Sequence, residues 1–150
     1  MKKFLVPAAF VVVVVALGIA SGLSNAPGGW YEGLAKPAFN PPAFLFPPVW
    51  TLLYVLIGLA GARIWLRAPK SAAMQFWFGQ LLLNLLWTPA FFGLHSLVLG
   101  LVVIVCLLLS IFAFIGLARP IDRVASLLFL PYAAWVAFAT LLNLSILILN

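Results

Sequence analysis

Five long apolar runs, separated by short polar or proline-rich segments, set the hydrophobic pattern of this 150-residue chain. A helix needs about 20 apolar residues to cross a bilayer, and backbone amides in lipid must be hydrogen bonded within a helix or a closed barrel. These runs are too long and too uniformly apolar for barrel strands. The pattern therefore predicts a single all-α domain over residues 1–150, an integral membrane bundle of five transmembrane helices at about residues 4–23, 46–66, 72–92, 97–117 and 124–149.

Local signals support the ends of these helices. Ser71, Ser96 and Asp122 stand where helix N-caps are expected, because their side-chain oxygens can accept hydrogen bonds from the first free amides. The first run also resembles the core of a secretory signal peptide, but it is longer than usual and Pro27 follows its best small-residue cleavage site. We therefore expect this run to be retained as the first helix.

Basic residues are divided unequally between the two ends of the predicted bundle. Seven of the eight Lys and Arg residues fall on the side of the amino terminus, and Lys36 alone falls on the other. Such an excess marks the cytoplasmic side, so in a bacterial inner membrane the amino terminus would be cytoplasmic and the connection over residues 24–45 external. The net charge of +6 is then a topology signal, and we expect no nucleic-acid partner. Arg63 and Arg67 are expected to extend toward lipid headgroups.

The composition excludes several kinds of active site. The chain has two carboxylates, Glu32 and Asp122, one histidine, His95, and one cysteine, Cys106. Hydrolysis by paired carboxylates, multi-ligand metal sites and disulfide frameworks each need several such groups converging on one site. We therefore predict no metal site and no obligatory cofactor. Cys106, among Val and Leu, is expected to be a small buried hydrophobe.

The connection over residues 24–45 combines prolines with aromatic residues. It contains Pro27, Pro37, Pro41 and Pro42, interleaved with Trp30, Tyr31, Phe39 and Phe44. Proline restricts its own φ and the residue before it, so the segment loses little entropy when it orders. We expect a stiff lid over one end of the bundle. The alternative is that Trp30 and Tyr31 only sit at headgroup level as an interfacial belt.

Helical periodicity gathers amides and large aromatic rings on one face of three predicted helices. The residues on these faces are Trp50 and Tyr54, then Gln80, Asn84, Trp87, Thr88 and Phe91, then Tyr132, Trp135, Ala139 and Asn143. Unpaired amides are costly in lipid, so Gln80 and Asn84 must face the bundle interior. Most of the set lies in the loop-proximal half and predicts one lidded cavity for a planar apolar molecule with a polar edge. Two alternatives stay open: a packed aromatic bundle without a cavity, and a purely helix-joining role for Gln80.

The same residues form the motifs of a known family. The matching string is Trp30-Tyr31, Leu34, Lys36-Pro37, Asn40-Pro41-Pro42, Phe46-Pro47, Trp50-Thr51, Leu53-Tyr54, Gln80, Asn84, Trp87-Thr88-Pro89, Phe91-Phe92-Gly93, Pro131-Tyr132, Trp135, Ala139 and Leu142-Asn143. In order and spacing the chain resembles the TspO/MBR family, the tryptophan-rich sensory proteins related to the mitochondrial translocator protein or peripheral-type benzodiazepine receptor. The motifs cover three of the five predicted helices and the long loop, whereas the first and fourth helices match in character only.

The resemblance implies a five-helix bundle, usually a homodimer, that binds porphyrins, notably protoporphyrin IX and haem, together with planar drugs. It places ligand contacts at Tyr31, Trp50, Asn84, Trp135 and Ala139, and helical periodicity adds Tyr54, Trp87 and Asn143. The implied function is a membrane protein for porphyrin sensing, transport or turnover, with the porphyrin as ligand.

The same residues bear on three other functions. The family is also associated with light-dependent oxidative breakdown of protoporphyrin, and by resemblance Trp50 and Trp135 would be the catalytic residues of that activity. A proton-coupled exporter is disfavoured, because neither carboxylate falls in a predicted span. The animal cholesterol motif is incomplete, because residues 144–150 after Asn143 contain no aromatic side chain and no cation.

Overall fold

The apolar runs of the sequence are helical. The computed structural model describes residues 1–25 and 28–150, with the backbone only for Lys2; within these ranges the chain contains helices and no strand. The helices are α1 (Lys2–Ser24), α2 (Gly29–Glu32), α3 (Phe46–Arg67), α4 (Ala72–Thr88), α5 (Leu97–Ala118), α6 (Arg123–Leu128) and α7 (Leu130–Leu149). The all-α prediction is confirmed. The cleavage position considered at Ala26 and Pro27 lies outside the described residues.

Four helical stretches of the described chain are long and apolar enough to cross a bilayer. They are Lys3–Ser24, Ala43–Arg67, Leu97–Ala118 and Arg123–Leu149. The remaining long helix, α4, has 17 residues and is continued by one π-helical turn over Pro89–Gly93. The chain is therefore a helical membrane protein with apolar helices of spanning length.

The three predicted N-caps are confirmed. The side chain of Ser71 accepts a hydrogen bond from the amide of Met74, and that of Ser96 accepts one from the amide of Leu99. Asp122 caps α6 in the same way, through the amide of Ala125 at 3.2 Å. Each cap satisfies an amide that the helix itself leaves without a partner.

Pro89 explains the π-helical turn at the end of α4. Proline has no amide hydrogen, so the carbonyl of Leu85, four residues earlier, loses its helical partner. That carbonyl instead accepts a hydrogen bond from Ser21 Oγ of α1 at 3.2 Å. The distortion of α4 thereby produces a contact that ties α1 to α4.

The fifth predicted helix is divided in two. α6 ends at Leu128 and α7 begins at Leu130, and the residue between them, Phe129, is completely buried. Its ring lies 4.1 Å from the ring of Phe114 in α5. Pro131 follows in the first turn of α7, the position where its missing amide costs no helical hydrogen bond.

Close packing fills the half of the bundle away from the proline-rich loop. Gly58 of α3 lies against the backbone of Val11 in α1, and Gly61 lies against the indole of Trp77 in α4. Trp77 Nε1 donates a hydrogen bond to the carbonyl of Ile57 at 2.9 Å. A side chain at either glycine would overlap these neighbours, so α1, α3 and α4 are fitted directly onto one another here.

An ion-pair cluster ties α3 to the start of α6 at this same end. Arg63 Nε and Arg67 Nε lie 2.8 and 3.0 Å from Asp122 Oδ2, and the carboxylate side chain is 2% exposed. Burial alone would raise the pKa of Asp122, but the hydrogen bonds from Arg63 and Ala125 and the two guanidinium charges outweigh it, so the pKa is lowered. The expectation that both arginines extend to headgroups left out these ion pairs, although 38% of the Arg63 side chain and 57% of the Arg67 side chain stay exposed.

The outer surface of α5 is apolar, as expected for a helix against lipid. Val102, Leu109 and Phe112 are among its exposed large side chains. Cys106 is also exposed and shares the helix face of Val102 and Leu109. The expectation that Cys106 is buried is therefore wrong, because the bundle interior lies on the opposite side of α5.

Candidate ligand-binding cavity

A cavity of about 630 Å³ lies in the loop-proximal half of the bundle. Its walls come from α1, α3, α4, α5 and α7, and residues of the loop close it. All eight candidate ligand-binding residues line it, namely Tyr31, Trp50, Tyr54, Asn84, Trp87, Trp135, Ala139 and Asn143. The alternative of a bundle packed without a cavity is excluded, whereas contact of these residues with a ligand stays a prediction.

Aromatic rings form one side of the cavity. The ring of Trp50 stacks on that of Tyr54, with centroids 5.6 Å apart and planes 30° apart. Trp135 meets Trp50 edge to face, at 6.5 Å and 85°. These indole and phenol rings, supplied by α3 and α7, give the cavity the flat apolar surfaces that suit a planar ligand.

A chain of polar side chains crosses the inner end of the cavity. The hydroxyl of Tyr54 donates to Asn84 Oδ1 at 3.1 Å, and Asn84 Nδ2 donates to the hydroxyl of Tyr132 at 2.7 Å. The Tyr132 hydroxyl in turn donates to Gln80 Oε1 at 2.8 Å, and Gln80 Nε2 donates to the carbonyl of Trp77. Helices α3, α4 and α7 are joined by this network, in which each buried amide has a partner.

The network separates the roles of the two amides of α4. Gln80 is completely buried and does not line the cavity, so its role is to join helices. Asn84 does both, because it lines the cavity while its amide binds Tyr54 and Tyr132. Asn84 therefore presents a side chain whose position is fixed before any ligand arrives.

A second polar pair joins α4, α5 and α7 near the lid. Trp87 Nε1 donates to Asn143 Oδ1 at 3.1 Å, and Asn143 Nδ2 donates to the carbonyl of Leu97 at 3.2 Å. Both side chains line the cavity. The polar atoms of Trp87 and Asn143 are already paired with protein groups. These two side chains therefore define the shape of the cavity wall and leave few free hydrogen-bonding groups.

Two polar atoms of the cavity wall are unpaired. Trp135 Nε1 and Asn40 Oδ1 are buried and have no hydrogen-bond partner among residues 1–25 and 28–150. A buried donor or acceptor without a partner costs about 1–3 kcal/mol. Rotation of either side chain toward the cavity would expose one donor or one acceptor there. In the described chain no group of three or more His, Cys, Asp or Glu residues is arranged to hold a metal ion.

The lid is ordered by contacts with the turn between α4 and α5. Trp30 stacks on His95 with ring centroids 4.6 Å apart and planes 8° apart, and Tyr31 meets Phe92 edge to face at 5.3 Å. His95 adopts a φ of 52°, which turns the chain sharply beneath Trp30. Trp30 and Tyr31 therefore act as parts of a packed lid, and the interfacial-belt alternative does not account for these contacts.

Lys36 holds the lid segment that carries Tyr31. Its Nζ donates hydrogen bonds to the carbonyls of Glu32 and Leu34 and lies 4.5 Å from the centroid of the Tyr31 ring. Burial raises the pKa of Tyr31, and the nearby Asn40 amide offsets part of that shift. The Tyr31 hydroxyl is therefore neutral at physiological pH and can act as a hydrogen-bond donor at the cavity rim.

The rest of the loop runs along α7 and forms a side wall. Asn150 pairs with the backbone of Ala35, and the ring of Phe39 lies 6.2 Å from that of Phe138. Phe46 then meets Trp135 at 5.8 Å. These contacts descend α7 in order, so the loop covers the upper part of the gap between α3 and α7 as well as the end of the bundle.

Sequence reasoning did not anticipate the contribution of two helices to the cavity. α1 supplies Gly18, Ile19, Gly22 and Leu23, and α5 supplies Ile104 and Leu107. Gly18 lies directly against the ring of Tyr54. The Gly18 and Gly22 pair was a visible signal for close approach, but the pattern does not specify which helix or ring approaches.

Comparison with known proteins decides the family. The sequence profile of the TspO/MBR family matches residues 10–149. This chain belongs to the TspO/MBR family. Among its relatives in the family, the protein CrtK of Rhodobacter capsulatus is 42% identical over 142 residues, which cover 92% of this chain and 89% of CrtK.

Two further relatives of this TspO/MBR protein come from Chlorobaculum tepidum and from human. The tryptophan-rich protein TspO of Chlorobaculum tepidum is 40% identical over 159 aligned positions, which cover 99% of this chain and 98% of that protein. The human translocator protein is 33% identical over 119 positions, which cover 76% of this chain and 70% of the human protein. The resemblance found in the motifs thus extends over nearly the whole TspO/MBR chain.

Proposed function

We propose that this TspO/MBR protein binds tetrapyrroles, protoporphyrin IX and haem among them, and similar planar apolar molecules within the membrane. The observation that carries the proposal is the shape and chemistry of the cavity. Its volume of about 630 Å³ lies inside the roughly 300–1,000 Å³ range of small-molecule sites. The porphyrin is then the ligand of a protein for porphyrin sensing, transport or turnover, and this protein needs no obligatory cofactor.

The walls suit a macrocycle with a polar edge. The rings of Trp50 and Trp135 meet at 85°, so a flat ligand can stack on one indole while its rim meets the other. Trp135 Nε1 and Asn40 Oδ1 supply one unpaired donor and one unpaired acceptor among the described residues. The hydroxyl of Tyr31, at the rim, adds a further donor.

The proposal includes the arrangement in the membrane. α4 with its π-helical turn is the fifth span, the bundle over residues 1–150 is one domain, and the amino terminus faces the side that carries the basic residues. In a bacterial inner membrane that side is the cytoplasm. The family resemblance supports a homodimer.

The experiment is a titration of the purified protein with protoporphyrin IX in the dark, following tryptophan fluorescence and porphyrin absorbance. We expect saturable quenching, because Trp50, Trp87 and Trp135 all line the cavity. Empty detergent micelles measure nonspecific partition. Absence of saturable quenching would overturn the ligand assignment.

Two alanines of α7 offer matched variants for this titration. Ala139 lines the cavity, so Ala139→Phe fills it and should weaken binding about tenfold or more, as expected when one side chain overfills a packed site. Ala137 is exposed and does not line the cavity, so Ala137→Phe should bind like the wild type. Equal affinity of the two variants would place the ligand elsewhere.

A second candidate function is light-dependent oxidative degradation of protoporphyrin, with dioxygen as the oxidant. The observation that favours it is the contact of two indoles, Trp50 and Trp135, that both line the cavity. The same titration tests it when repeated under illumination. Binding without any bleaching beyond that of porphyrin in empty micelles would reject the degradation and leave the binding function intact.

A further inference from the structure

An apolar groove lies on the outside of the bundle between α3 and α7. It has a volume of about 530 Å³ and begins where the loop stops covering the gap between these helices. Leu52 and Leu53 of α3 and Ala134 and Phe138 of α7 are among its walls. Leu52 is 60% exposed, so the groove opens to the surface that the bilayer covers.

One side chain is common to the walls of this groove and of the ligand cavity. Trp135 lines both of them, so the indole is a shared wall. Its neighbours Phe46, Trp50 and Phe138 contact it through ring faces and edges. Trp135 Nε1 has no hydrogen-bond partner in the described chain, so rotation of the indole breaks no hydrogen bond.

The lid and the packed half of the bundle are each held by several contacts. At the lid, a ligand would have to separate Asn150 from Ala35 and Trp30 from His95. Between α1 and α3 the helix backbones touch, because Gly58 lies against the backbone of Val11. At the seam between α3 and α7, Trp135 lines both spaces, so movement of its ring would connect them.

We propose that the groove between α3 and α7 is a lateral portal, through which a planar apolar ligand passes between the bilayer and the cavity, with Trp135 as its gate. The inference rests on the proposed function in one respect, that the cavity binds such a ligand. An apolar macrocycle partitions into the hydrocarbon of the membrane, so a path that begins there spares it transfer through water. The groove has walls of matching apolar character and leads to the Trp135 ring.

The experiment measures association and dissociation rates of protoporphyrin IX with the protein in phospholipid nanodiscs, by stopped-flow porphyrin absorbance in the dark. Ala134→Phe places a ring in the groove without lining the cavity. We expect both rates to fall about tenfold, while the equilibrium dissociation constant stays within about twofold of the wild type. Ala137→Phe, at the exposed neighbouring position of the same helix, should leave both rates unchanged.

A second variant tests the same portal in the opposite direction. Leu52→Ala widens the groove and should raise both rates, again with little change in affinity, and it adds no bulk that could disturb folding. Slower binding in Ala134→Phe together with faster binding in Leu52→Ala supports the portal. Normal saturable binding with unchanged rates in both variants overturns the portal and leaves the binding function standing, whereas loss of saturable binding in the wild type overturns the function itself.

Discussion

The side-chain amide of Asn150 forms two hydrogen bonds with the backbone of Ala35, across 115 positions of the chain. Asn150 Nδ2 donates to the Ala35 carbonyl at 2.9 Å, and the Ala35 amide donates to Asn150 Oδ1 at 3.1 Å. One side chain thus satisfies both polar groups of a lid residue, as a neighbouring strand would. These two hydrogen bonds fix the position at which the loop begins to run along α7.

Asn150→Ala removes both hydrogen bonds and should loosen the lid. We expect the amide of Ala35 and its neighbours to exchange hydrogen about fivefold faster or more, because each net hydrogen bond contributes modestly to stability. Hydrogen exchange with mass spectrometry measures the change. Ile148→Ala, an exposed change on the same last turn of α7, is the control, and equal exchange in the two variants would show that Asn150 does not hold the loop.

Tyr132→Phe removes the hydroxyl that joins the two amides of α4. Because Tyr132 is completely buried, Asn84 Nδ2 and Gln80 Oε1 would lose partners that water cannot replace. The expected loss of unfolding free energy is about 1–3 kcal/mol, measured by thermal unfolding in detergent. Tyr54→Phe, whose hydroxyl borders the cavity, should cost less. A smaller effect for Tyr132→Phe than for Tyr54→Phe would contradict the network as described.

Asp122 should make stability depend on pH in the acid range. Its pKa is lowered in the folded protein, so its ion pairs stabilise the fold fully above the ordinary carboxyl value of about 3.9 and lose that stabilisation as the pH falls through the lowered value. Asp122→Asn should cost about 1–2 kcal/mol at neutral pH, because Arg63 and Arg67 are partly exposed and screened.

The variant should also be less sensitive to acid than the wild type, when melting temperatures are compared between neutral pH and pH ~3. Glu32→Gln removes the other carboxylate, which makes no ion pair among the described residues, and serves as the control. Identical acid profiles for wild type and Asp122→Asn would show that other groups set the transition.

Gly18 and Gly22 of α1 line the same cavity and differ in one contact. A β-carbon at Gly18 would overlap the ring of Tyr54, whereas one at Gly22 would meet nothing within 4 Å. Gly18→Ala should therefore displace Tyr54 from Asn84 and weaken protoporphyrin IX binding about tenfold, while Gly22→Ala binds nearly normally. Fluorescence titration of both variants is the measurement. Equal weakening would attribute the effect to lost volume and not to Tyr54.

Replacement of a single tryptophan by phenylalanine distinguishes porphyrin binding from porphyrin degradation. Trp50→Phe and Trp135→Phe each keep an aromatic ring for stacking, so most of the dark affinity should persist. If the protein degrades porphyrin through these indoles, light-dependent bleaching should disappear in both variants. Bleaching at the wild-type rate in either one excludes that residue from the reaction.

The cavity face was predictable because its signals are local. Caps at Ser71 and Ser96 and the periodic spacing of Asn84 and Trp87 depend on a few neighbouring positions, and all eight candidate residues line one cavity. The prediction of five membrane spans rests on hydropathy alone. The helix α4 has 17 residues before the π-helical turn that begins at Pro89, fewer than the roughly 20 that a bilayer span needs. Ligand contact itself stays a prediction.

The contacts that were missed depend on how helices pack. Arg63 and Asp122 are 59 positions apart in the sequence. Only the packing of α3 on α6 brings the Arg63 guanidinium to the carboxylate that caps α6. The exposure of Cys106 depends on which face α5 turns toward the bundle. The sequence does not indicate this face, because α5 is apolar all round. The course of the loop along α7 depends on the contact between Phe39 and Phe138. The residues near either one in the sequence do not indicate this contact.

The close packing at Gly61 and Trp77 makes the cavity a blind pocket. Gln80 and Tyr132 lie beyond its inner end, and the fitted helices beneath leave a bound molecule no straight path to the opposite face. A ligand that entered from the loop-proximal half would have to leave by the same half. Its occupancy would then follow the concentration of that solute on one side of the membrane, and net movement to the other side would require the packing contact between Gly61 and Trp77 to open.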